Sequence, residues 1–385
     1  WFGLWSGIWA SALYGGSAFL NYFDRRFWNP SPVPFIAIWL LYSLSQAMKQ
    51  SWWFVLTAAL VGISLHVHLS LVVLWPIIAI VIWIRRREIK LKHWLSMILI
   101  YLAITSPLIV FDINHKFDNF LAPVKYFQDP DRPSKLPSLW VSSNYANFWW
   151  NSFGRFWYLD YQSSIQEEQN LGPHGKMTRP FWGWTVFSLF LIGLFGWWHR
   201  FSSKGRLVMA AIMLYTVSFI SYPGVVGEYY MLGMFVMLPV VFGTVLSRFN
   251  VTLVSIAVLV FVIINLLTVT SSTQAKYGLE VKKNIVEKIN NQLKQRPYEL
   301  VTVGADPRTY HPYGGWRYMF SQYGYTPSSS YADQFFGWLY PDQLNKSIPE
   351  VQVIIAEDMD YKTDLPIEYQ VKEGAFQGLI IKLVK

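Results

Sequence analysis

The sequence predicts a mainly α-helical protein, a polytopic bundle of about nine transmembrane helices with a small C-terminal extracytoplasmic α/β domain. Of its 385 residues, 53% are hydrophobic, 18% aromatic and only 14% charged, whereas soluble domains carry about 25% charged residues. Long apolar runs alternate with short polar segments as far as about residue 271, and the composition becomes soluble after that. The chain has no cysteine, which excludes disulfides and thiolate metal sites.

Nine apolar stretches are interpreted as membrane helices, since a helix of about 20 residues spans the hydrocarbon core. They are 1–20, 34–48, 52–67, 69–84, 94–111, 181–198, 207–222, 229–246 and 251–270. The predicted domains are therefore a transmembrane domain, 1–271, which includes the long external loop 112–180, and an extracytoplasmic domain, 272–385. Because the chain begins with Trp1 inside an apolar run, we expect it to be a fragment of a longer protein.

The charge distribution predicts the orientation of these helices. The net charge is +9, but residues 272–385 hold 13 basic and 13 acidic residues, so the excess belongs to the helical part. One set of connecting segments carries 10 basic residues and a single acid, Glu88. The positive-inside rule places that set in the cytoplasm. The run at 85–92, RRREIKLK, is interpreted as a topology anchor and not as a nucleic-acid site, and no nucleic-acid partner is expected.

The segments expected outside the cytoplasm differ in character. The loop 112–180 contains NYANFWWNSFGRFWYLDY at 144–161, and such an aromatic run favours a belt at the membrane interface. In the C-terminal domain, the spacing of apolar residues predicts a helix over 275–295. Short β-rich runs predict strands at 298–304, 351–357 and 376–384, and 310–325 is a candidate helix. This domain shows no nucleotide-binding loop, zinc pattern or Ser-His-Asp motif.

Polar side chains recur on the outer face, at the ends of successive predicted spans. They are Asp24, Arg25, Arg26 and Asn29; His66 and His68; Asp112 and His115; and Glu228, Tyr229 and Tyr230. Arginine binds phosphate through bidentate charge-assisted hydrogen bonds, histidine adds a donor or takes a proton, and a carboxylate can act as a general base. In a helix bundle these groups can converge on one cavity, and together they suit chemistry on a lipid-linked phosphate.

Each group also has a simpler explanation. Arg25 and Arg26 could snorkel to lipid headgroups, Asp112 could serve as a cap or turn residue, and Glu228 could favour a helix N-terminus. His66 and His68 are two residues apart, which is not a same-face helical pair, so no dedicated metal site is predicted.

Several of these segments resemble a known family. RRFWNPSPVPF is similar to the R..WNPS..P segment of bacterial multi-pass glycosyltransferases of the GT-C superfamily, relatives of protein O-mannosyltransferases and of the aminoarabinose transferase of lipid A. GISLHVHLS, SPLIVFDINHKF and EYYMLGMFVMLP resemble further segments of that group. The resemblance covers about 20–270.

The resemblance implies an enzyme that transfers a sugar from a polyprenyl-phosphate donor in the bilayer to an extracytoplasmic acceptor, which could be a lipid, a glycan or a protein. Its principal catalytic carboxylate should lie in a first external loop, upstream of Trp1. Asp24 is then a secondary acidic candidate, and Arg25 with the histidines would stabilise the leaving phosphate. No cofactor is fixed, because the branches of the superfamily differ in their use of a divalent metal such as Mg²⁺ or Mn²⁺.

Other functions stay open on the sequence alone. A transporter or lipid flippase would explain the many spans, but it favours mid-span charges and an inverted repeat, and the predicted spans contain no Asp or Glu. A glycan polymerase or ligase would use similar lipid-phosphate chemistry with different arginines. A non-catalytic membrane scaffold would leave the polar loops without a role.

Overall fold

The protein divides into two compact units, Trp1–Thr270 and Ser271–Lys385. The computed structural model describes residues 1–24, 29–117, 121, 143–159, 182–220, 228–271, 278–303, 311–344 and 347–383. It is mostly helical with a small C-terminal sheet, as the sequence predicts. Arg25, Arg26 and most of the loop 112–180 lie outside the described residues.

The first unit is built from helices and two 3₁₀ turns. Its described helices are α1 (Leu4–Gly16), α2 (Ala18–Asp24), α3 (Val33–Ala47), α4 (Trp53–Val67), α5 (Trp75–Arg85), α6 (Leu91–Asn114), α7 (Ser143–Arg155), α8 (Trp182–His199), α9 (Ser203–Ile220), α10 (Leu232–Phe235), α11 (Met237–Leu246) and α12 (Val251–Ser271). The 3₁₀ turns are Leu69–Leu74 and Glu228–Met231.

The prediction of about nine spans is not supported by these helices. Among the described residues, three helical stretches are long and apolar enough to cross a membrane: Leu91–Asn114, Glu228–Leu246 and Val251–Thr270. Of the other predicted spans, 1–20 is interrupted, and 34–48, 52–67 and 69–84 correspond to shorter apolar helical stretches. Helices α8 and α9 have 18 residues each but are not among these three stretches. These three stretches are compatible with membrane association.

Two of the interruptions have local causes. The predicted span 1–20 breaks at Ser17, whose backbone is extended (φ −77°, ψ 115°) and whose N–H caps α1 by bonding to the Leu13 carbonyl at 3.1 Å. Helix α10 ends at Phe235, four residues before Pro239. Since proline has no N–H to donate to the carbonyl four residues earlier, it favours a break at that point.

The core of the first unit lies around the stretch Glu228–Leu246, of which 78% is buried. Helix α11 packs closely on α1, where Ser6 Oγ lies 3.0 Å from Ser247 Oγ. By contrast, only 11% of the α6 stretch is buried, and its apolar side chains are largely exposed. An exposed apolar helix of this length is what a lipid-facing element requires.

Contacts bring the basic connecting segments to one end of this unit, which we call the basic end. Lys204 Nζ donates to the Trp1 carbonyl at 2.7 Å, and Trp1 and Tyr42 make an edge contact. Ser51, in the α3–α4 turn, lies 2.9 Å from His93 Nδ1 at the start of α6. These are the helix ends that carry the excess of Lys and Arg.

The second unit is an α/β layer. Helix α13 (Leu279–Leu293) precedes β1 (Tyr298–Val303), α14 (His311–Tyr323), β2 (Ser329–Ser330), the short helix α15 (Asp333–Phe336), β3 (Val351–Ala356), β4 (Ile367–Glu373) and β5 (Phe376–Lys382). The sheet order is β2-β1-β3-β5-β4, with β1 parallel to β2 and β3, and β5 antiparallel to β3 and β4. Ile285 and Ile289 of α13 pack on Leu300, Ile355 and Ile380 in one buried cluster.

Candidate functional site

The Glu228–Met231 turn holds three of the residues that the sequence predicts for the site. Glu228, Tyr229 and Tyr230 open the most deeply buried of the three long apolar stretches. The rings of Tyr229 and Tyr230 meet edge to face, with centroids 4.5 Å apart. Tyr230 also stacks on Phe219 at the end of α9, at 6.0 Å. The turn is therefore fixed on one side by aromatic packing.

His68 joins this turn from a distant part of the chain. Its ring lies 5.7 Å from that of Tyr229 and 5.4 Å from that of Tyr230. The residue has an extended backbone (φ −166°, ψ 135°) and precedes the 3₁₀ turn Leu69–Leu74, which it caps by accepting the Ser70 N–H at Nδ1 (3.2 Å). Only the tertiary fold brings His68 beside these tyrosines, which are distant from it in the sequence.

The protonation state of His68 follows from its surroundings. Burial lowers the pKa of the His68 imidazole below its usual value, because the charged form loses hydration. The neutral ring is thus favoured near pH 7. Since Nδ1 accepts a backbone N–H, the ring proton lies on Nε2, and His68 can offer one N–H donor.

Glu228 is bound by two side chains from α7. Ser152 Oγ donates to Oε1 at 2.7 Å, and Arg155 Nη1 lies 3.0 Å from Oε2 and 3.3 Å from Oε1. The side chain of Arg155 is 5% exposed and that of Glu228 is 13% exposed. An ion pair so far out of water is held by charge and by hydrogen bonds together.

Sequence reasoning missed Ser152 and Arg155. Both lie in the aromatic run 144–161 that predicts an interfacial belt, but Phe153 and Phe156 are fully buried in the core of the first unit. This part of the run therefore packs inside the unit, and the belt prediction is wrong for residues 151–156. The available signal was Arg155, the one charged residue in the sequence of α7, placed one helical turn after Ser152, and such a placement favours a buried partner.

Asp24 and Asn29 lie in the segment between α2 and α3. Asp24 ends α2 and accepts a hydrogen bond from the Tyr14 hydroxyl at 3.1 Å, while Asn29 is exposed in the turn before α3. Phe19 of α2 contacts Phe235 of α10 at 5.1 Å, and α10 directly follows the Glu228–Met231 turn. Helix α2 is thus packed against the helix that follows the turn carrying Glu228.

His66, Asp112 and His115 lie elsewhere. His66 Nε2 is 2.8 Å from the Ile104 carbonyl in the middle of α6. His115 stacks on Phe111 at 3.9 Å and bonds to its carbonyl at 2.8 Å. Asp112 is on that same last turn of α6. The contacts of the two histidines are made with α6 and not with the Glu228–Met231 turn, so the predicted convergence holds for only part of the set.

Among the described residues, no three His, Asp or Glu side chains are placed to hold a metal ion. The geometry therefore assigns no ligand to the Mg²⁺ or Mn²⁺ that the family resemblance leaves open. The carboxylate nearest to such a role, Glu228, already accepts hydrogen bonds from Ser152 and Arg155.

No family model matches the chain, and neither a curated protein nor a solved structure does.

Proposed function

We propose that the protein is a membrane glycosyltransferase that moves a sugar from a polyprenyl-phosphate donor to an extracytoplasmic acceptor. The observation that supports this most is the buried Arg155–Glu228 pair beside His68, Tyr229 and Tyr230. A cation, a neutral histidine donor and two tyrosines gathered at one turn suit an anionic phosphate that leaves a sugar.

In this proposal, Arg155 and the Nε2–H of His68 bind the donor phosphate and stabilise the charge that it gains. Glu228 acts as a positioning residue, because its carboxylate accepts a hydrogen bond from the Ser152 hydroxyl and pairs with the Arg155 guanidinium. The acceptor oxygen or nitrogen forms a bond to the anomeric carbon, the bond from that carbon to the phosphate oxygen breaks, and the electron pair stays on the phosphate. A carboxylate takes the acceptor proton, and Asp24 is the candidate among the described residues.

The resemblance to GT-C enzymes adds Arg25 and Arg26 as further phosphate ligands and Asn29 as a site residue. It also implies that the reaction is completed outside the cytoplasm. His68 and Glu228 lie at helix ends opposite to the basic end. Because the positive-inside rule assigns an excess of basic residues to the cytoplasm, this arrangement supports a site outside the cytoplasm.

The test is a single-turnover assay on the full-length protein in proteoliposomes with polyprenyl-phosphate mannose and polyprenyl-phosphate glucose as probes, measuring release of polyprenyl phosphate. We expect Arg155→Ala to lower that rate by about a hundredfold, the usual cost of one lost donor to a developing oxyanion. Arg86→Ala, which removes an exposed arginine at the basic end, is the matched control and should keep the wild-type rate.

Thermal unfolding of both variants separates a lost role from a lost fold. A folded Arg155→Ala protein with an unchanged rate would overturn the role of this site. Movement of the donor lipid across the bilayer, with no release of sugar by the wild type, would favour the flippase.

A further inference from the structure

A second cleft lies at the basic end of the first unit, away from the Glu228–Met231 turn. It has a volume of about 300 Å³ and opens between the α3–α4 turn and the α5–α6 turn. Its apolar floor includes Phe54 and Ile89, which are 0% and 6% exposed. Its rim is polar, and this combination of a closed floor with polar groups at the mouth is typical of a ligand site.

The charge of the rim is positive. Lys49, Arg85 and Lys90 line the cleft, and Glu88 is the one carboxylate among its lining residues. Glu88 forms an ion pair with Arg85, so its negative charge is already matched. Lys49 and Lys90 are exposed at the mouth. The cleft therefore favours an anion.

Two hydrogen-bonding side chains and an aromatic side chain complete the site. Ser51 Oγ lies 2.9 Å from His93 Nδ1 on opposite walls of the cleft, which holds the two turns together. Trp52 is 48% exposed at the rim, and its indole N–H donates to Gln50. A tryptophan with one wet and one apolar side is typical of the membrane–water interface.

The surroundings indicate where the rest of the ligand would lie. Helix α6 begins at Leu91, directly after the cleft, and its outer face carries Leu95, Leu99 and Leu102, which are 54%, 67% and 47% exposed. An anionic headgroup in the cleft would leave acyl chains free to cover this apolar face. Basic pockets at the ends of membrane helices bind anionic lipid headgroups in this way.

We propose that this cleft is a binding site for the phosphate of an anionic phospholipid. Lys49 and Lys90 supply the attraction, Ser51 and His93 supply hydrogen-bonding groups, and α6 supplies the surface for the acyl chains. The site is independent of the proposed transfer reaction. It gives the basic run 85–92 a specific ligand in addition to its role as a topology anchor.

The test measures binding of dioctanoyl phosphatidylglycerol to the full chain in a neutral detergent by native mass spectrometry. Dioctanoyl phosphatidylcholine and inorganic phosphate are the comparison ligands. We expect the K49A/K90A double variant to lose at least about tenfold in affinity for phosphatidylglycerol. The control is R86A/R87A, which removes the same charge from the same region but from residues that do not line the cleft.

Selective loss in K49A/K90A, with R86A/R87A within about twofold of wild type, supports the proposal. An equal loss of affinity in the two double variants would show that phosphatidylglycerol is attracted to basic residues in general, and would overturn the proposal. Equally tight binding of phosphatidylcholine would also overturn it. Inorganic phosphate that binds as tightly as phosphatidylglycerol would assign the cleft to free phosphate and not to a lipid.

Discussion

Arg155 Nη1 lies 3.0 Å from Glu228 Oε2, across 73 residues of sequence, and the two side chains are nearly excluded from solvent. The pair joins α7 to the turn that opens the most buried long apolar stretch. Each charge lowers the cost of burying the other, and the Ser152 hydroxyl adds a hydrogen bond to the carboxylate. The same contact that would present a cation to a phosphate therefore also compensates each charge for its burial, and removal of one partner is expected to destabilise the fold.

We expect the removal of either partner alone to destabilise the first unit. Arg155→Met or Glu228→Gln leaves the other group buried with one partner fewer, at a cost of about 3 kcal/mol. The double variant R155M/E228Q should lose clearly less than the sum of the two. Unfolding of the full chain by SDS in mixed micelles, followed by circular dichroism, measures all three free energies.

The control for this cycle is the Arg85–Glu88 pair, whose side chains are 30% and 55% exposed. R85A/E88A should change the free energy of unfolding by less than about 1 kcal/mol, as exposed pairs usually do. Strict additivity of Arg155→Met and Glu228→Gln would contradict the coupling that the geometry implies.

The sequence could predict some of this site and not the rest. Glu228, Tyr229, Tyr230 and His68 stand at the ends of apolar runs, so periodicity and polarity alone identify them. Arg155 sits within an aromatic run whose composition is equally typical of an interfacial belt, and only tertiary packing turns it towards Glu228.

The fold, like the site, could be predicted from the sequence only in part. A helical first part followed by a soluble α/β part follows from composition, and the strands at 298–303 and 351–356 follow from β-rich runs. The lengths of the helices do not follow from composition, because local features such as Ser17 and Pro239 interrupt runs that are continuously apolar in the sequence. Strand β4, with its mixed polar sequence, also gives no clear signal.

His68 predicts a pH dependence of stability. Its pKa in the folded state is below the ordinary value of 6.5, so folding favours the neutral ring. The stability it contributes is fully present above about pH 6.5 and is lost as the pH falls through the lowered folded-state pKa. His68→Asn, which keeps an acceptor for the Ser70 N–H, should flatten the decline in melting temperature between pH 7.5 and 5.

The exposed His115 gives the matched control, since His115→Asn replaces a histidine whose ring stacks on its own helix. That variant should keep the wild-type slope. If the melting temperature of His68→Asn declines with pH as steeply as that of the wild type, the prediction that His68 is buried as a neutral ring is wrong.

In the second unit, the acidic side chain of Glu373 predicts a second pH dependence of stability. Partial burial pushes its pKa upward, but hydrogen bonds from Lys288 Nζ (2.6 Å) and Asn284 Nδ2 (2.7 Å) outweigh this, and the pKa of Glu373 lies below its usual value of 4.5. The stability is therefore present above about pH 4.5 and is lost as the pH falls through the lowered pKa. Because Lys288 is half exposed, Glu373→Gln should cost at most about 1 kcal/mol at pH 7.

Hydrogen exchange of the sheet amides in the full chain reads this unit separately from the helices. The difference between wild type and Glu373→Gln should shrink as the pH is lowered from 6 to 3. Asp342→Asn, at an exposed position in the same unit, should show no such convergence. A Glu373→Gln difference that grows at low pH would have the wrong sign for a lowered pKa.

Gly243 marks the closest approach of α1 and α11. A Cβ placed there would lie 2.5 Å from the Ala10 nitrogen and 2.8 Å from the Ser6 carbonyl oxygen, and both are backbone atoms that cannot rotate away. Small residues four apart on each helix, Ser6 and Ala10 on one and Gly243 and Ser247 on the other, are the arrangement that lets membrane helices pack closely. Gly243→Ala should therefore force the helices apart and cost about 1–3 kcal/mol.

In Gly193→Ala, the added Cβ meets no atom within 4 Å, so a small gain of about 0.5–1 kcal/mol is expected from the better helix former. Measured side by side in the SDS titration, the two substitutions should differ in sign, and a neutral Gly243→Ala would show that α1 and α11 are not held in this close contact.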